Sequence, residues 1–233
     1  MTADRAFEAP DLIEVMDEAV HYNRFLVDQL MQWGGSLGPL LDFGAGNGRF
    51  AAALHERSVD VHAIEPDPLL REKIGNRGVR TYESLEAAGE GRFAGVYTLN
   101  VLEHLEDDRA ILAGFHRCLV PGGGLLVYVP AFELLFSAND ARVGHVRRYR
   151  LAGLCERIRA AGFAVERARY VDSIGFFAGL AYRLFGDADG DLGVRAVRLY
   201  DRVVLPISLL LDSVLGRVLG KNLLVTAIKR PTD

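Results

Sequence analysis

Leu40-Leu41-Asp42-Phe43-Gly44-Ala45-Gly46-Asn47-Gly48 is a short apolar run that ends in three alternating glycines. Arg49 to Arg57 follows, with Phe50, Ala53 and Leu54 at helical spacing. This reads as a buried strand, a glycine turn and a helix. Glycine turns the chain sharply and lets a ligand approach without a β-carbon in the way. The alternation continues outward. Val59 to Ile64 predicts a second strand that ends at Glu65-Pro66-Asp67, Pro68 to Asn76 a helix, and Val79 to Tyr82 a third strand. Phe93 to Leu99 predicts a fourth strand and Asp107 to Cys118 a helix. Pro121-Gly122-Gly123-Gly124 predicts a tight turn into a fifth strand, Leu125 to Val129. Leu151 to Ala161 reads as helix, Phe163 to Tyr170 as a sixth strand and Leu223 to Ile228 as the last. Upstream, residues 11–33 read as a helix closed by Gly34-Gly35.

Strands that alternate with helices in this way define an α/β fold. The expected architecture is a Rossmann-like, seven-stranded, mostly parallel sheet with helices on both faces. A single domain spans residues 1–233, with an N-terminal helical cap at 1–35. Between the last two strands, Ile174 to Phe185 and Val194 to Leu219 predict a helical insertion over 172–220, expected to be a substrate lid or an oligomer contact. Ligands of such sheets bind beyond the carboxyl ends of the strands, so the segments after the first, second, fourth and fifth strands converge on one edge.

The chain has 233 residues, 50% hydrophobic and 25% charged, enough to bury a core without disulfides or metals. No metal is expected. A net charge of −4 argues against nucleic acid as a partner. Cys118 and Cys155 match no metal spacing and read as buried, reduced thiols. The first ten residues lack the apolar core of a signal peptide, and no uncharged apolar run approaches the roughly 18–20 residues that span a bilayer. A cytoplasmic protein is expected, with contact to a membrane surface and a homodimer both left open.

Two cofactor classes use a strand, glycine turn and helix followed by an acidic residue about 20 positions on, here Glu65. A dinucleotide enzyme wants glycine where this chain has Arg49, and a carboxylate such as Asp42 is unwelcome beside a pyrophosphate. A cationic ligand without phosphate suits Asp42 better. At this point the chain resembles the class I S-adenosylmethionine-dependent methyltransferases. Leu40 to Gly48 resembles their first motif and Val61-His62-Ala63-Ile64-Glu65-Pro66-Asp67 their second. Asn100-Val101-Leu102-Glu103-His104-Leu105 resembles the segment after their fourth strand, and Leu119-Val120-Pro121-Gly122-Gly123-Gly124 the turn before their fifth. The four motifs cover about residues 40–130 in the right order.

The resemblance implies that Asp42, Phe43, Gly44, Ala45 and Gly46 hold the methionine end of S-adenosylmethionine, and that Glu65, followed by Pro66, accepts hydrogen bonds from the ribose. It places Glu83, Ser84 and Leu85 beside the adenine, Asn100 and Val101 near the sulfonium, and Tyr22 over the cofactor from the N-terminal helix. For the acceptor, methyl transfer needs positioning and sometimes a base. His104 and His145 follow strand ends, and either a catalytic base or a structural tie is open for each. His145 lies in a Gly-His-x-Arg-Arg-Tyr stretch found in one branch of these enzymes. There Arg142, Arg147, Arg148 and Arg150, with Tyr149, read either as a clamp for an anionic substrate or as a salt-bridged face. The apolar insertion points to a small, lipophilic acceptor, an anionic one being the other choice. Two further readings are a non-catalytic cofactor-binding partner subunit and an NAD(P)-dependent oxidoreductase.

Overall fold

The structure is a computed structural model that describes residues 18–185 and 194–230. Its centre is a seven-stranded sheet of order β3-β2-β1-β4-β5-β7-β6. The strands are β1 (Leu40–Phe43), β2 (Val61–Ile64), β3 (Arg80–Tyr82), β4 (Phe93–Leu99), β5 (Leu119–Pro130), β6 (Phe163–Val171) and β7 (Asn222–Lys229). β1 pairs in parallel with β2 and β4, and β4 with β5. β7 runs antiparallel between β5 and β6, so the mostly parallel sheet read from the sequence is present.

The helices are α1 (Val20–Gly34), α2 (Arg49–His55), α3 (Pro68–Gly75), α4 (Leu85–Ala88), α5 (Asp108–Cys118), α6 (Ala138–Arg142), α7 (Leu151–Ala160), α8 (Ser173–Phe185), α9 (Val194–Leu199) and α10 (Leu205–Leu215). A π-helical turn at Tyr200–Val204 joins the last two. The expected start of the first helix at residue 11 lies outside the described residues, as do residues 186–193 of the 172–220 unit. α4 and α6 are too short to show a periodicity and were not expected.

Side chains along a strand alternate between faces, and this divides the core in two. Leu125, Val127 and Val129 of β5 join Leu41, Val96, Phe115 and Ile158 on the face covered by α5 and α7. Leu126 and Tyr128 join Leu26, Leu30, Leu40, Leu54 and Tyr97 on the face covered by α1 and α2. The start of several helices is local chemistry. Asp67 accepts from the Leu69 and Leu70 amides at 2.8 and 3.1 Å with Pro68 at the first turn, and Asp107 accepts from Ala110 at 2.9 Å.

One boundary differs. The turn at Pro121–Gly124 does not precede the fifth strand but lies within it as a bulge. Leu119 pairs with Phe93, and Gly124 already pairs with Gly95. Gly122 carries the positive φ of 75° that the bend requires.

Candidate active site

The glycine turn rises from β1 and is tied to the neighbouring strand. The amides of Gly44 and Ala45 both donate to the Ile64 carbonyl at 3.0 Å. Gly44, Gly46 and Gly48 have φ values of 76°, 57° and 74°. A β-carbon on Gly44 would lie 2.6 Å from Val101, and one on Gly48 2.5 Å from Ile74, so these two are required by packing. Gly46 is different: nothing lies within 4 Å of its missing β-carbon. The turn therefore presents bare backbone to open space at that point.

Two acids face this turn. Glu65, at the end of β2, accepts from the Gly46 amide at 2.8 Å and from the Asp67 amide at 3.0 Å. An ionised carboxylate has about four acceptor positions, so each oxygen keeps one for a ligand hydroxyl. Burial raises the Glu65 carboxyl above its ordinary range. Asp42 is 3% exposed, and its Oδ2 has no hydrogen-bond partner. Burial pushes its carboxyl up to about 7. The neighbouring Tyr97 hydroxyl works against this rise without cancelling it, and a buried carboxyl at the foot of an open turn suits a ligand that brings its own positive charge, and repels a pyrophosphate.

Asn100 leaves β4 with a φ of 54°, and its Nδ2 donates to the Tyr22 hydroxyl at 3.1 Å. Burial pushes that hydroxyl up to about 12. The Tyr22 ring also meets Tyr128 edge-on, with centroids 6.1 Å apart. So the α1 residue and the segment after β4 are brought together. Phe132 after β5 and Asp172 after β6 also adopt positive φ, 59° and 64°. Non-glycine residues in this conformation are strained, and three of the four among the described residues, all but Ser58, lie at the carboxyl edge, where sheets of this kind bind ligands.

Two residues expected at the adenine have contacts within the protein. Ser84 caps α4 by accepting from the Ala87 amide at 3.3 Å. Leu85 is buried against α5, where a β-carbon on Gly114 would come within 2.7 Å of it. Its side chain belongs to the core. Glu83 is exposed.

The segment from Ala131 to Tyr149 folds onto the turn after β4. Its hub is Asp140, 1% exposed, in a capping box with Ser137. Asp140 accepts from His145 Nδ1 at 2.7 Å, from Arg148 Nε at 2.8 Å and from the Arg148 terminal nitrogen at 2.9 Å. Burial opposes its charge, but His145 and Arg148 outweigh it and hold the carboxyl well below the usual range. Arg147 pairs with Asp108 at 3.3 Å and donates to the Glu106 carbonyl. Tyr149 is buried and donates to Asp108 Oδ2 at 2.8 Å and to the Leu102 carbonyl. The expected substrate contacts Arg147, Arg148 and Tyr149 are thus engaged with the protein itself. Buried charges and hydroxyls need fixed partners, and these residues supply them to each other.

The two histidines lie together, ring centroids 4.6 Å apart. Burial pushes His104 down to about 4, which sets it apart from a base tuned to neutral pH. His145 is held by Asp140 through Nδ1, and its Nε2 points at Glu103 Oε1 across 3.8 Å. Glu103 is fully buried with both oxygens unpartnered, and burial pushes its carboxyl up to about 8.

Sequence reading missed Asp140 and Asp201. Asp201 accepts from the His21 and Tyr22 amides, both at 2.8 Å, and so caps α1, whose own Ala19 offers no side-chain cap. An acid within an apolar helical stretch was the available signal.

Residues 16–168 match the family described as methyltransferase domain. No curated protein matches the sequence significantly. Among solved structures, the chain resembles one in the complex between the Haloferax volcanii Trm112 methyltransferase activator and a methyltransferase, with a TM-score of 0.65 and 14% identity over 97% of this chain and 95% of that one. An Archaeoglobus fulgidus SAM-dependent methyltransferase is similar with a TM-score of 0.59 and 14% identity, over 89% and 94% of the two chains. Burkholderia thailandensis 1,6-didemethyltoxoflavin-N1-methyltransferase, solved with 1,6-didemethyltoxoflavin and S-adenosylhomocysteine, has a TM-score of 0.56 and 21% identity over 99% and 93%. At these identities the likeness is one of fold.

Proposed function

The chain belongs to the methyltransferase-domain family, and from that premise we propose that it moves a methyl group from S-adenosylmethionine to a small, lipophilic acceptor. The observation that carries the cofactor is the buried Asp42 Oδ2, without a hydrogen-bond partner, on the strand that runs into the turn where Gly46 offers bare backbone. S-adenosylmethionine supplies a methyl group already activated by positive sulfur, together with an ammonium, two ribose hydroxyls and no phosphate. Asp42 faces the cationic end, Glu65 accepts from the ribose, and Phe43 to Gly46 line the path between them. Asn100 and Val101 bound the reacting end, with Tyr22 fixed over it by Asn100.

The protein's remaining task is to position the acceptor and receive its proton. Of the two histidines, His145 is the better base. Asp140 orients the ring through Nδ1, so Nε2, 3.8 Å from Glu103, is the nitrogen that takes a proton, which requires the acceptor to reach it beside that carboxyl. The apolar helices between β6 and β7 favour a lipophilic acceptor. With the family established, the oxidoreductase reading drops out.

A test is to incubate the purified chain with S-adenosylmethionine and a panel of hydrophobic alcohols, phenols and acids, following S-adenosylhomocysteine by mass spectrometry. Product formation with a hydrophobic member, lost in the Glu65→Ala variant, is expected. Cofactor binding without product from any acceptor would favour the non-catalytic partner reading. For a proton-bearing acceptor, His145→Gln lowers kcat while cofactor affinity stays within about twofold.

A further inference from the structure

α10 is packed inside out. Ser208, Asp212 and, just past the helix, Gly216 are buried against the protein, with Leu205 the one large apolar residue on that face that is fully buried. Ile207, Leu210, Leu211, Val214 and the following Val218 face water, Leu210 and Val214 at 75% and 73% exposure. A surface helix ordinarily shows the reverse distribution. The inward polar groups have a use. Asp212 accepts from the Asp172 and Ser173 amides at 2.7 and 2.9 Å, and Ser208 Oγ accepts from the Ile174 amide at 2.8 Å. They satisfy the start of α8, whose first amides have no partner within the helix.

α8, packed on α10, continues the pattern. Its Ser173 and Gly175 are buried, while Phe177 and Leu184 are exposed. Leu199 and Val203 are exposed on the segment between the two helices. A monomer in water rarely leaves so many large apolar side chains grouped at its surface.

Charge identifies the occupant. The acids of the described part of this unit, Asp172, Asp201 and Asp212, are all buried and hydrogen-bonded to internal groups. Arg183, Arg195, Arg202 and Arg217 are exposed, and Arg198, also exposed, is paired with Glu18 at 2.8 Å. The outer face of these helices is therefore apolar with a basic fringe, the combination that an anionic lipid surface selects. No helix among the described residues is long and apolar enough to cross a membrane, which leaves a helix lying on the surface.

We propose that α8 to α10 dock the protein on an anionic bilayer, with Phe177, Leu210 and Val214 entering the boundary between headgroups and acyl chains and Arg202 and Arg217 meeting the phosphates. Leu134, 50% exposed, extends this face through the turn on which α8 rests. That turn opens the segment that folds onto the candidate site. The docked protein would draw its lipophilic acceptor from the bilayer; that part rests on the proposed function, whereas docking does not.

Flotation with phosphatidylcholine vesicles, with or without a quarter of phosphatidylglycerol, tests the docking without any methyl-transfer readout. Binding to the anionic vesicles is expected to be about tenfold tighter or more, and to weaken with salt. R202E/R217E should abolish that preference. L210E/V214E should lose about tenfold or more in vesicle affinity, with an unchanged melting temperature and unchanged S-adenosylmethionine affinity, since both positions face water. Failure to bind vesicles, or equal binding to both kinds, would overturn the proposal. So would a wild-type dimer that ignores vesicles and that L210E/V214E splits into monomers, an outcome that assigns the face to a second copy of the chain.

Discussion

The glycine turn at Gly44–Gly48 and the segment from Ala131 to Tyr149 lie at the same edge of the sheet and treat their polar groups in opposite ways. In the turn, Asp42 keeps an oxygen without a partner, Glu65 keeps acceptor capacity, and Gly46 opens on space. In the segment, Asp140, Arg147, Arg148 and Tyr149 close on one another and on Asp108. Buried polar groups must find partners. Where the chain supplies them the role is architectural, and where it does not a ligand is implied. His145 stands between the two cases, tied by one nitrogen and directed at Glu103 by the other.

The largest effect separates the regions by stability. Asp140→Ala leaves the guanidinium of Arg148, 11% exposed, without its carboxylate, and removing one partner of a buried pair costs about 3–5 kcal/mol. Denaturant unfolding should show that loss, with little change in the cofactor affinity of the folded fraction. If Asp140→Ala instead unfolded normally and lost only activity, the segment would belong to the chemistry.

Glu65→Ala should do the converse. Two hydrogen bonds to an ionised acceptor disappear, so S-adenosylmethionine affinity falls about 100-fold in calorimetry. Thermal denaturation without ligand should shift little, since the Gly46 and Asp67 amides can turn to water.

pH offers a third contrast. Asp42 has an ordinary value of 3.8 and is pushed up to about 7 in the folded, ligand-free protein. Below about pH 4 it is protonated folded and unfolded alike; between about 4 and 7 only the folded state holds the proton, so stability falls as pH rises through that window. A cationic ligand favours the ionised form. Affinity for S-adenosylmethionine should thus rise about tenfold between pH 6 and 8, and the Asp42→Asn variant should flatten the profile. The smallest effect is that of Tyr22→Phe. Loss of the hydroxyl that accepts from Asn100 should destabilise by about 1 kcal/mol in denaturant unfolding.

Much of the fold was legible because its signals are local. Leu40-Leu41 before a glycine turn, Pro68 behind Asp67 and the alternation along β5 each need only neighbouring residues. The glycine cradle was legible for the same reason. What depended on distant partners was not. Asp201 caps a helix 180 positions away, and Arg148 was readable as a substrate clamp until Asp140 was seen beside it. Leu85 follows a three-residue strand, too short to set which way the chain turns next. α10 shows a further limit of pattern reading. A helical repeat marks two faces without saying which one meets water, so the apolar run of the insertion did not show that Ile207, Leu210 and Val214 are the exposed ones.

The central claim is that the open polar groups around Gly46 are the seat of S-adenosylmethionine. Calorimetric titration of the wild-type chain with S-adenosylmethionine, run beside an identical titration with NADH, tests it most directly. One site per chain for S-adenosylmethionine, displaced by S-adenosylhomocysteine, and no binding of NADH is the result this account requires. Binding of NADH, or saturable heat from neither ligand, would contradict it.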